Sequence, residues 1–199
     1  MLTKNELKVL KLLLNDLTKE LSIMDVARLL NQEYFQAYRT IKLLVKSGEV
    51  LLKKTGKSKI LMLDFSTDHS NYLLAEMERV NDLCKKNTLA AIVRKNLLEV
   101  NKNFICILFG SQAVKYKPNS DIDLLFVIPQ EYDFSEFERI IRNALIATNA
   151  DLTFVPESSL HEMWSNPQKL NVGNELLKRH IILYGAEHFW HLRRKHHVG

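Results

Sequence analysis

Two apolar runs in the middle of the chain each carry a short polar signature. Phe104-Ile-Cys-Ile-Leu-Phe109 runs directly into Gly110-Ser111, and ten positions after Ser111 comes Asp121-Ile-Asp123, which opens the run Leu124-Leu-Phe-Val-Ile128. Short continuous apolar runs read as strands buried on both faces. Gly110 has no Cβ, so a phosphate can come close to its backbone. Ser111 offers a hydroxyl and a backbone N–H where residues 111–114 would begin a helix, and helix N-termini suit phosphate. Gly-Ser alone specifies nothing, because many turns contain it. The aspartates sharpen it. Two residues apart on a strand, Asp121 and Asp123 point to one face. Side by side they repel each other unless a cation lies between them. Mg²⁺ prefers oxygen ligands and usually keeps phosphate oxygens in its shell. Two carboxylates beside a phosphate-accepting turn therefore suit metal-assisted phosphoryl chemistry. The alternative is a strand start whose exposed aspartates merely cap a turn.

The stretch from Phe109 to Val127 resembles the signature of the DNA polymerase beta-like nucleotidyltransferases: an apolar strand, Gly-Ser, a spacer of about ten residues, then Asp-x-Asp on a second strand. The resemblance implies that Asp121 and Asp123 bind Mg²⁺ or Mn²⁺ and that Gly110, Ser111 and Ser120 hold the triphosphate. It also implies a third carboxylate on a later strand. Asp151, in Ala150-Asp-Leu-Thr-Phe-Val155, fits that place, with a helix near 134–148 between. The small size, and the segment Leu177-Lys-Arg-His-Ile-Ile-Leu-Tyr-Gly185, resemble the minimal members of the family over about residues 88–190. Many minimal members have Arg after Gly-Ser; Gln112 stands there, and Lys115 or Lys117 would supply the positive charge instead. The implied activity transfers an NMP group from an NTP to an acceptor and releases pyrophosphate. In this family the acceptor can be a small molecule, a nucleic-acid end or a protein side chain, and some minimal members are antitoxins that modify a partner toxin. Nothing in the sequence identifies the acceptor.

The first third has a different character. Residues 1–66 hold twelve Lys and Arg against seven Asp and Glu, while residues 67–199 are balanced at sixteen each, so the whole net charge of +5 lies in the first third. That asymmetry points to a polyanion-facing unit at the N-terminus or, more simply, to a solvated lysine-rich surface. Leu7, Leu10, Leu13, Leu14 and Leu17 keep helical spacing over 4–17. Ser22 is placed to cap a second helix, with Asp25 as acidic partner and Val26, Leu29 and Leu30 inside. A third helix follows from about Glu33 to Ser47, stopped by Gly48. Its inner face is Ala37, Ile41 and Leu44. The opposite face carries Phe35, Arg39, Lys42 and Lys46, flanked by Gln36, which is what reading a major groove requires. Val50–Lys54 and Lys59–Leu63 read as a hairpin around Thr55-Gly-Lys-Ser58. No acid occurs from Val50 through Leu63, so Lys57 and Lys59 would face phosphates. The stretch Ile23–Val50 resembles a winged helix-turn-helix domain, which implies binding of duplex DNA; such domains can also serve protein contacts or dimerisation.

Residues 67–100 read as helical, with Leu73, Leu74, Met77, Val80 and Leu83, then Leu89, Ile92, Val93, Leu97 and Val100, as inner faces. This is a packing connector or, alternatively, a dimerisation helix that would make the chain a homodimer. The tail, with His188, His191, His196 and His197 among Arg193, Arg194 and Lys195, could bind metal or nucleic acid and reads more simply as a solvated, frayed basic end. Cys84 and Cys106 form no C-x-x-C pair and read as buried thiols. No run approaches the ~20 apolar residues of a membrane span, and the first residues lack a signal-peptide core, so a cytoplasmic protein is expected. The expected class is α+β: a winged helix-turn-helix at 1–66, a helical connector at 67–87 and a small mixed-sheet nucleotidyltransferase domain at 88–199. A regulator that binds nucleotide without turning it over is the rival reading.

Overall fold

The structure is a computed structural model and describes residues 2–56, 58–66, 70–114, 121–166 and 168–198. It is mixed α+β, with ten helices and two small sheets among the described residues. The N-terminal elements are α1 (Lys4–Leu14), β1 (Leu21–Ser22), α2 (Ile23–Leu29), α3 (Tyr34–Lys46), β2 (Val50–Thr55) and β3 (Ser58–Leu63). Each boundary has a local cause. Thr3 and Glu6 cap α1 reciprocally, and Ser22 and Asp25 do the same for α2. Asn31 (φ 50°) turns the chain between α2 and α3, and Gly48 (φ 88°) ends α3. The strands β2 and β3 pair antiparallel from Val50↔Leu63 to Thr55↔Ser58. The short β1 adds to the free edge of β3, a pairing that its two residues are too few to announce in the sequence.

The chain continues through α4 (Ser70–Cys84), α5 (Thr88–Glu99), β4 (Ile105–Phe109), α6 (Gly110–Val114), β5 (Ile122–Ile128), α7 (Phe134–Ala144), β6 (Ala150–Pro156), α8 (Glu157–Trp164), α9 (Val172–Lys178), β7 (Ile181–Tyr184) and α10 (Ala186–Val198). The second sheet has the order β6-β5-β4-β7. Only the β5/β6 pair is parallel, because α7 carries the chain back across the sheet between them. Both faces of this sheet are covered. Ile105, Ile107, Leu125, Val127 and Val155 share a core with Leu10 and Leu14 of α1, Ile41 and Leu44 of α3, and Phe189 and Trp190 of α10. Cys106, Leu108, Leu124 and Phe126 pack on the other side with Val93 and Leu97 of α5 and with Phe137 and Ile141 of α7. Helices α8, α9 and α10 lie against this face of the sheet, and the N-terminal elements join the same core, α1 packing on α4.

Two sequence expectations change, the inner faces of three helices and the tail. In α2, Leu29 is 46% exposed, and Ile23 and Ala27 join Val26 inside. In α4, Leu74 and Met77 are exposed, Met77 by 55%, although their spacing suggests an inner face. The buried face is Tyr72, Ala75, Glu76, Arg79, Val80 and Leu83. Glu76 and Arg79 can lie inside because they neutralise each other at 2.7 Å. Arg79 also donates to the carbonyl of His180. In α5 Ile92 is likewise exposed, and Ala90 takes the inner position. The second change is the tail. It is a packed helix: Phe189, Trp190 and Leu192 are buried, and Arg193 lies over the Trp164 ring at 4.7 Å. Its histidines and arginines hide an apolar stripe. Cys106 is buried, Cys84 is half-buried, and neither is in a disulfide.

Candidate functional site

The three aspartates meet at one end of the second sheet. Asp123 and Asp151 are directly opposed across the parallel pair β5/β6, and Phe109 opposes Asp123 across β4/β5. Strand alternation gives Asp123 and Asp151 the same face as Leu125, Val127 and Val155. Asp121 lies just before β5 and shares that parity. Its carboxylate accepts a hydrogen bond from the amide of Asn149, the residue before β6. Asn149 carries no motif and could have been found only through its place two residues before Asp151.

Gly110 forms the other wall. It has φ +71°, and a Cβ added there would overlap the Asp123 carboxylate. The turn and the acid are thus built against each other. Helix α6 is only five residues long and gives little helix dipole, so what it offers a ligand is the Gly110 backbone and the Ser111 hydroxyl. Burial, then Asp151, then Asp121 push the Asp123 pKa up from the ordinary aspartate value. A cation beside the carboxylate would oppose this shift. Asp121, Asp123 and Asp151 all lie at this end of the sheet. Among the described residues no group of three or more His, Cys, Asp or Glu side chains is arranged to hold a metal ion. Ser120, Lys115 and Lys117 lie outside the described residues.

A cleft of about 790 Å³ opens beside Gly110 and Ser111. Its far wall is α9, with Lys178 and Arg179, and Asp16 and Thr18 from the loop after α1 complete it. Sequence reasoning missed these four. Lys178 and Arg179 sit within the segment 177–185, where a search for acids passes over them. Gln112 faces elsewhere: it is only 2% exposed and lines a separate groove with Lys8, Lys11, Arg79 and Lys86.

No family model, curated protein or solved structure matches the chain.

The N-terminal candidates lie on a second surface. Gln36, Arg39, Lys42 and Lys46 are exposed together on the outer side of α3, and Lys59 is exposed on β3. Lys57 lies outside the described residues. Aromatic side chains accompany the cations: Phe35 is 72% exposed, Tyr34 and Tyr38 stack with centroids 6.3 Å apart, and Lys42 lies 5.6 Å over Tyr38. Among the described residues no helix is long and apolar enough to cross a membrane.

Proposed function

We propose that the chain is a Mg²⁺-dependent nucleotidyltransferase of the DNA polymerase beta type, joined to a winged helix that binds duplex DNA. The observation that carries the reading is the convergence of Asp123, its cross-strand partner Asp151 and Gly110 at one sheet end, with Asp121 beside them. Asp121 and Asp123 would hold Mg²⁺, with Mn²⁺ as substitute and Asp151 completing the site. When bound, the metal neutralises the charge on the phosphate oxygens. The chain's own contribution is positional. Ser111 and the Gly110 backbone orient the phosphates, and Asn149 fixes Asp121. The acceptor oxygen bonds to the α-phosphorus as the bond to the β-phosphate oxygen breaks. Pyrophosphate leaves, and Asp151 would take the acceptor proton. A protein acceptor such as a partner toxin is compatible with the open cleft, and so is a nucleic-acid end.

The reading is tested by incubating the full chain with α-labelled NTPs and Mg²⁺, with and without cell extract. Label transfer that disappears in Asp121→Asn/Asp123→Asn is expected. A chain that binds MgATP in the presence of extract yet never transfers label would favour the second reading, a DNA-binding regulator or antitoxin that senses nucleotide. The neutral Gln112 after Gly110-Ser111 supports that second reading.

A further inference from the structure

We propose that Lys178 and Arg179 hold the polyphosphate of a nucleoside triphosphate in the cleft beside Gly110, an assignment that rests on the nucleotide reading above. The order of strands carries it. Across this end of the sheet stand Asp151 on β6, Asp123 on β5 and the Phe109-Gly110 turn on β4. Next comes β7, whose first residue Ile181 pairs with Leu108. Lys178 and Arg179 immediately precede that strand and face the cleft that Gly110 and Ser111 line. Acids and cations therefore flank the glycine turn from opposite sides, with β5 and β7 about 10 Å apart at normal strand spacing. An extended polyanion laid across the turn meets the metal-binding acids at one end and fixed cations at the other.

Among the described residues Lys178 and Arg179 are the only cations that line the cleft. Among the described residues Arg179 has no ion-pair partner. Lys178 is paired with Glu175 at 2.8 Å, both side chains about half exposed, a contact weak enough to exchange for phosphate. The other acid of the lining, Asp16, accepts from the N–H and hydroxyl of Thr18 at 3.0 and 2.7 Å. Position 112 supplies no charge, and the cations near it line the separate groove. The backbone that presents the pair is fixed: Leu177 accepts from the N–H of Leu17 at 2.7 Å, and Asn171 caps α9. A fixed backbone leaves only the two exposed side chains to be ordered when phosphate binds.

The test is calorimetric titration of the full chain with MgATP, AMP and inorganic tripolyphosphate. Arg179→Gln and Lys178→Gln are each expected to weaken MgATP and tripolyphosphate by about tenfold or more, as for a lost charge-assisted hydrogen bond, with AMP changed far less. Glu175→Gln is expected to tighten MgATP, because it frees Lys178 and removes a repelling charge. If both cation variants melt as wild type and bind MgATP with wild-type affinity, while Asp121→Asn/Asp123→Asn does not bind it, the assignment falls and the nucleotide reading stands. Wild type that binds no MgATP overturns both. Should the cation variants unfold, Glu175→Gln decides: unchanged or weaker MgATP binding overturns the assignment.

Discussion

The carboxylate of Asp123 occupies the space that a side chain on Gly110 would need. One contributes a charge and the other the absence of a side chain, and any side chain at position 110 must displace the acid. Gly110→Ala is therefore a sharp probe. Its left-handed backbone (φ +71°) costs a non-glycine about 1–2 kcal/mol, and the new methyl must also displace the acid. A melt shifted downward together with lost MgATP binding is expected. Normal binding by Gly110→Ala would mean that the turn plays no part in the site.

The buried pair Glu76–Arg79 offers a test of the core. Arg79→Met leaves Glu76 buried without a counter-charge, which costs about 3–5 kcal/mol. Burial already pushes the Glu76 pKa up, and Arg79 opposes that push. In Arg79→Met the folded-state pKa rises further. The penalty is then full above that pKa and shrinks as pH falls through it. Chemical denaturation of Arg79→Met at neutral and acid pH should show the gap to wild type narrowing, and Glu76→Met/Arg79→Met should lose much less. Equal losses at both pH values would contradict this account.

The C-terminal helix should behave as part of the core. Trp190 is fully buried, stacked edge-on against Phe189 and tilted over Tyr72 at 5.4 Å. Trp190→Ala should cost about 3–5 kcal/mol by denaturant unfolding. A change below about 1 kcal/mol would indicate that α10 frays in solution.

Much of this was legible in the sequence, and the reasons differ by element. The caps at Ser22-Asp25 and Gly48 are local chemistry, so a short window specifies them. Asp121 and Asp123 could be named from their spacing and Asp151 through the family resemblance, whereas the register that opposes Asp123 to Asp151 appears only in the sheet. Other features depend on distant partners. Glu76 and Arg79 look like surface residues until each neutralises the other inside. The tail looks solvated because its apolar residues, Phe189, Trp190 and Leu192, are outnumbered by charges and histidines. Lys178 and Arg179 reach the cleft only because β7 lies beside β4, a neighbour relation that no local pattern encodes.

The basic outer face of α3 predicts salt-sensitive binding of duplex DNA by the full chain. The full chain is the right sample, since Leu10, Ile41 and Leu44 pack into a core shared with the second sheet. Arg39→Ala should weaken binding to a preferred sequence. Lys59→Ala should lower affinity with little regard to sequence and reduce the salt dependence. Gel-shift titrations at two salt concentrations check both, and no binding even at low salt would remove DNA from the account.

The central claim is that Asp121 and Asp123 exist to bind a metal–nucleotide complex and not to hold the fold. Burial and the neighbouring aspartates raise the Asp123 pKa, so the folded state disfavours its ionised form. That cost is absent below the ordinary carboxylate range and full above the folded-state pKa. Asp121→Asn/Asp123→Asn should therefore melt no lower than wild type at neutral pH, with any gain fading as pH falls through the carboxylate range. Binding runs the other way, because two charged ligands are lost. The decisive measurement is calorimetric titration of MgATP into wild type and this double variant, with a melt of each at neutral pH. The account predicts binding by wild type, none by the variant, and an equal or higher melting temperature in the variant. A variant that melts well below wild type yet binds MgATP equally would contradict it.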